Sequence, residues 1–70
     1  MLVVRRSVDY GGDRLAASYL IEGANGNRFA KCSIYDARTF SKKDKATNAL
    51  RKAKQNDPYR HEARYEIVSL

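Results

Sequence analysis

Asn25-Gly26 constrains the folding of this seventy-residue chain more than any other feature of it. A two-residue hairpin loop of type I′ needs positive φ at both loop positions, and Asn-Gly meets that demand with the least strain. A loop centred there pairs Ala24 with Asn27, Ile21 with Ala30, Tyr19 with Cys32 and Ala17 with Ile34, so uncharged side chains gather on one sheet face. Gly11-Gly12 turns the preceding pair of strands in the same way. It sets Val8 against Leu15, Val4 against Tyr19 and Leu2 against Ile21, all on that same face. The two turns predict a three-stranded antiparallel meander over residues 2–9, 13–23 and 28–36. Arg6 is the exception on the core face, opposite Ala17, and its long stem would carry the guanidinium to the sheet edge. In this register Cys32 lies between sheet and helix, beside Tyr19.

The remaining half reads as one helix and one strand. Ser41-Lys42-Lys43-Asp44 looks like a helix start, with Ser41 capping and Asp44 at the reciprocal third position. Ala46, Ala49, Leu50 and Ala53 follow at i, i+3, i+4 and i+7, a single apolar stripe that predicts a helix over 42–56 lying close to the sheet. Pro58 disfavours helix at Asp57 and ends it. Ala63, Tyr65 and Ile67 then alternate with Arg64 and Glu66, which predicts a fourth strand within 60–70. The fold class is α+β, with order βββαβ and one helix packed on one face, in a single domain of residues 1–70. A right-handed crossover puts the fourth strand parallel to the first or the third; the first is preferred, in spatial order 3-2-1-4.

Composition narrows the function classes. Hydrophobic residues at 43% and charged residues at 31% give enough apolar content for a folded core. No apolar run approaches the ~18 residues that span a bilayer, and the charges of Met1-Leu2-Val3-Val4-Arg5-Arg6 follow the apolar stretch, the reverse of a secretion leader. Cys32 is the only cysteine, so neither an internal disulfide nor a zinc framework can form. The expectation is a cytoplasmic protein with no membrane contact, no metal and no cofactor. His61 is the only histidine, the carboxylates are scattered, and the glycines sit in turns that open no helix, so no phosphate loop is present. These features point to a non-catalytic protein.

Charge is distributed unevenly. The net +6 of the chain resides in residues 37–56, where Arg38, Lys42, Lys43, Lys45, Arg51, Lys52 and Lys54 face only Asp44. On the helix, Lys43 and Lys54 fall on one flank of the apolar stripe, Lys45 and Lys52 on the other, and Arg51 points outward. A helix that serves solubility alone mixes signs at i,i+4 spacing, and this one does not. Lys42, Lys43, Lys45, Arg51, Lys52 and Lys54 are therefore one candidate binding surface. The second is the outer sheet face, where the expected register gathers Val3, Arg5, Leu20, Phe29, Lys31 and Tyr35, an apolar and cationic patch suited to a partner surface or to base stacking.

The order βββαβ, with a strand running into Tyr35-Asp36-Ala37-Arg38-Thr39-Phe40 and an alanine-rich helix Ala46…Ala49…Ala53, resembles small phage-encoded inhibitors, namely anti-CRISPR proteins and the small RNA-polymerase inhibitors of podoviruses. The resemblance is one of architecture and transfers no functional residue. It implies a protein that binds a host protein or nucleoprotein complex with an acidic surface and blocks its access to nucleic acid. The leading expectation is accordingly a non-catalytic inhibitor or accessory factor of phage or mobile-element type. The alternatives are sequence-nonspecific binding of DNA or RNA, and a homodimer, in place of a monomer, that buries the outer sheet face.

Overall fold

Valine recurs through the first strand, and its branched Cβ favours the pleated backbone over the helix. The computed structural model describes residues 1–8, 16–24 and 26–70 and places β1 at Leu2–Val8, β2 at Ala16–Gly23, β3 at Gly26–Ala30 and β4 at Ala63–Ser69. A 3₁₀ turn at Ile34–Asp36 and helix α1 at Lys43–Gln55 lie between β3 and β4. The strands form one sheet in the order β3-β2-β1-β4. The α+β class, the βββαβ order and the placement of the fourth strand beside the first are as the sequence predicts.

The direction of β4 is not. It runs antiparallel to β1, from Ala63 opposite Val8 to Ser69 opposite Leu2. The cause lies in residues 31–42. Phe40 and Leu2 exchange two backbone hydrogen bonds of 2.7 and 2.8 Å, and the Arg38 N–H donates to the Leu20 carbonyl at 2.9 Å. The chain has thus returned to the starting end of β1 before α1 begins. The helix then climbs from the Leu2 end towards the Val8 end, and β4 must descend.

Both expected registers shift as well. β2 meets β1 one residue away from the expected alignment, with Arg5 opposite Tyr19 and Arg6 opposite Ser18. β3 meets β2 with Gly23 opposite Gly26 and Tyr19 opposite Ala30. The Gly11-Gly12 turn lies outside the described residues, as does Asn25 of the second turn. Gly26 has φ +109°, a conformation only glycine adopts without strain. A one-residue slip exchanges the two faces of every side chain on a strand. The observed alignment turns Leu20 and its partner Phe29 towards the helix and leaves Tyr19 and Ile21, both half-buried, on the opposite face. Leu20, at 0% exposure, then joins Val4, Phe40 and Ala46 in the core, with Leu2, Phe29, Ala49, Leu50, Ala53 and Ile67 packed around them. β3 ends at Ala30, so Cys32 lies outside the sheet and is part-exposed.

The helix forms where its apolar stripe predicts, and Ala46 is fully buried in it. Its start differs: Lys42 occupies the N-cap position without a side-chain cap hydrogen bond, and Ser41 lies outside. Asp44 in the first turn and Lys52 and Lys54 in the last complement the helix dipole. Among the described residues no helix is long and apolar enough to cross a membrane.

Leu20→Ala tests the register directly. In the core it should cost about 2–5 kcal/mol in urea unfolding, whereas on a solvated face the loss would stay within about 0.5 kcal/mol.

Candidate functional site

Two charged assemblies adjoin α1, one closed at its C-terminal end and one open. The closed one begins with Arg6, which projects from β1 towards the helix side. Its Nη1 donates to Asp57 Oδ1 at 2.7 Å, and its Nη2 donates to Ser18 Oγ at 3.5 Å. The guanidinium carbon sits 4.9 Å from the ring centres of both Phe29 and Tyr59, so the cation is held between two aromatic faces. Asp57 also accepts from the Tyr59 backbone N–H at 3.1 Å and from the Tyr65 hydroxyl. The side chains of Arg6 and Asp57 are 13% and 1% exposed. The long stem of Arg6 therefore carries its charge into a buried pair and not to the sheet edge. A cleft of about 340 Å³ beside it is lined by Asn27, Arg28, Asn56 and Pro58 among others. Every oxygen of Asp57 is engaged, so this cluster acts as a strut that pins the C-terminal end of α1 to β1 and β4.

The open assembly is the helix surface. Lys42, Lys43, Lys45, Arg51, Lys52 and Lys54 are all exposed. Among the described residues the ion pairs are Arg5–Glu66 and Arg6–Asp57, both rooted on β1, and neither involves α1. Lys45 and Lys52 share a groove of about 370 Å³ with Asn27, Arg38, Phe40 and Asn48, where α1 meets residues 38–40. Arg38 crosses this groove: its Nη1 donates to Asn27 Oδ1 at 2.7 Å, and its guanidinium lies 5.2 Å from the Phe40 ring centre. Lys43 and Arg51 line a neighbouring hollow with Asp44, Thr47 and Asn48. Lys54 stands apart on the β4 flank, its Nζ 5.2 Å from the Tyr65 ring centre. The structure thus groups Arg38, Lys45 and Lys52 in one groove and Lys43 and Arg51 in the next, with Asp44 and Asn48 lining both.

The outer-face patch expected from the sequence does not exist. Leu20 and Phe29 belong to the core, and Val3 is fully buried on the central strand. Arg5 pairs with Glu66 at 3.1 Å across the face away from the helix, a part-exposed contact worth at most about 1 kcal/mol. Lys31 follows β3 and is exposed, while Tyr35 stands on the 3₁₀ turn at 85% exposure. The one-residue slip of β2 and the early end of β3 separate these six residues.

Sequence reasoning missed Arg38, which the expected layout left between strand and helix although it belongs to the same charge-rich segment. It also missed the Asp57 cluster. The one signal was Arg6 on a face otherwise free of charge. His61 is exposed, and its Nε2 accepts from Arg60 Nε at 3.2 Å. No protein-family model, curated protein or solved structure matches the chain.

Two outcomes follow from the strut. Asp57→Ala or Arg6→Met alone leaves one buried charge unpaired and should cost about 3–5 kcal/mol. Removing both charges together should cost less than the sum of the single changes in the same urea titration. Burial first, and then the hydrogen bond and the negative charge of Asp57, raise the Tyr65 phenol well above its ordinary value. The fold therefore favours the neutral phenol. That contribution is complete below about pH 10, the unperturbed value, and is lost as pH rises towards the folded value. Tyrosinate absorbance should show Tyr65 ionising late, in step with alkaline unfolding, and Tyr65→Phe should remove that step.

Proposed function

We propose that this chain is a non-catalytic nucleic-acid-binding protein that grips the phosphate backbone with the basic margin of α1 and reads no sequence. The observation that carries this reading is the composition of the exposed helix face. It offers Lys43, Lys45, Arg51 and Lys52 with Thr47, Asn48 and Gln55, one carboxylate, Asp44, and no large apolar side chain. Protein interfaces are built around buried aromatic or aliphatic anchors and are depleted in lysine at their centres. Phosphate contacts need only cations and hydrogen-bond donors. Lys45 and Lys52 are two turns apart, about 10 Å along the axis at 1.5 Å per residue. That matches about three phosphates of one strand at 3.4 Å rise.

A second reading keeps the phage-type inhibitor that docks on an acidic surface of a host complex. Tyr35 supports it, since an isolated tyrosine at 85% exposure is the kind of anchor a protein partner would cover. The two readings divide on salt and on residue. If Arg38, Lys45, Arg51 and Lys52 meet phosphates, log K for a duplex should fall against log[salt] with a slope near −3.6, at about −0.9 per contact. Each Lys→Ala change there should flatten that slope by about one and weaken all sequences alike. Weak duplex binding even at low salt, with a host partner lost on Tyr35→Ala, would favour the inhibitor instead.

A further inference from the structure

β4 lies at one edge of the sheet, and its hydrogen-bond phase can be read from its neighbour. The Leu70 N–H donates to the Met1 carbonyl at 2.8 Å, which extends the β1–β4 ladder and fixes its phase. Glu66 and Arg64, alternating from Leu70, direct their backbone groups at β1, whereas Tyr65, Ile67 and Ser69 direct theirs away from it. Among the described residues the outward N–H groups of these three find no backbone partner, and only Ala63 does, donating to the Tyr59 carbonyl at 2.8 Å. Natural sheet edges are blunted by proline, bulges and charged side chains, lysine above all. β4 has no proline, bulge or lysine across its seven residues, and its two charged side chains, Arg64 and Glu66, are of opposite sign.

We propose that this edge pairs with β4 of a second copy, antiparallel and with the twofold axis at Tyr65. Three registers bring outward-directed residues together, and charge selects among them. An axis at Glu66 sets two carboxylates face to face, and one at Ile67 sets Glu66 against Val68. An axis at Tyr65 sets Arg64 of each copy opposite Glu66 of the other, two complementary pairs on the face away from the helices. Arg64 is exposed and has no ion pair among the described residues. On the helix side the same register sets Ala63 against Ile67 of the second copy, where the Ala63 carbonyl can accept from the Ile67 N–H while the Ala63 N–H keeps its Tyr59 partner. Both are half-exposed in the single chain, and pairing them continues the core across the axis. The two Lys54 side chains approach on that side but stay in water, where salt screens them. The axis stands perpendicular to the joined sheet, so both helices lie on one face, with their basic margins, on the β3 side of each helix, at opposite ends of the assembly. Dimerisation can be measured without nucleic acid and stands or falls apart from the binding reading.

Sedimentation equilibrium of the whole chain over a wide concentration range tests the pairing. The wild type should approach twice the chain mass. R64E places a carboxylate opposite Glu66 at both pairs and should raise the dimer dissociation constant about tenfold or more, equivalent to about 1.4 kcal/mol. R5E/R64E/E66R restores opposite charges across the axis while keeping an opposite pair at residues 5 and 66 within each chain, and should recover the dimer, with circular dichroism unchanged in both variants. A single-chain mass for the wild type at every concentration overturns the proposal. So does a dimer indifferent to R64E, or one that the triple variant fails to recover.

Discussion

The Arg6–Asp57 pair is the interaction on which the rest of this structure depends. It joins the central strand to the residue just beyond the helix, and its other contacts reach β2 through Ser18, β3 through Phe29 and β4 through Tyr65. A helix that touches the sheet largely through alanine has little apolar area with which to fix its own position. The pair supplies direction where the stripe supplies only contact. Ion pairs this deep are costly to desolvate and contribute less net stability than their distance suggests, and specificity of arrangement is their best-attested use. Here the arrangement fixed is the position of the helix end and the turn that sends β4 back down the sheet.

Charges on the two halves of the molecule are handled in opposite ways. On β1 each arginine has a carboxylate, Arg5 with Glu66 and Arg6 with Asp57. On α1 and its N-cap six cations stand in water with Asp44 as the only acid in their segment. Mutual repulsion among those cations opposes folding slightly, and neutralising them by binding removes that opposition. The same concentration of charge would speed the approach of an anionic partner, an effect that weakens as salt shortens the screening length.

Much of the fold was legible in the sequence. The alanine stripe defined the buried side of α1, Pro58 marked its end, and the alternation from Ala63 to Ile67 marked β4. The place of β4 beside β1 was one of two that a right-handed crossover allowed, the other being beside β3. Register was not legible: the β2–β3 ladder closes at Gly23 opposite Gly26, one residue earlier in the chain than a turn centred on Asn25-Gly26 requires, and the observed alignments answer to burial of Leu20 and Phe29. β4 direction was missed because residues 31–36, expected to continue the third strand, instead leave the sheet, and the chain returns along the molecule to Leu2 by Phe40. The cationic site was half legible: lysines on a helix are visible as a pattern, whereas Arg38 reaches them only through the tertiary path of that return. The single sign of the buried pair was Arg6 at an apolar register position, and Asp57 gave no sign in sequence beyond its place before a proline.

Amide chemical-shift mapping during titration with a short duplex at low salt tests the central claim most directly, since it reports where contact occurs. The account predicts shifts concentrated at Arg38, Lys45, Asn48, Arg51 and Lys52, reversed by added salt, with Tyr19, Ile21 and Glu66 on the far sheet face unmoved. Shifts centred on that far face, or none along α1 at saturation, would contradict it.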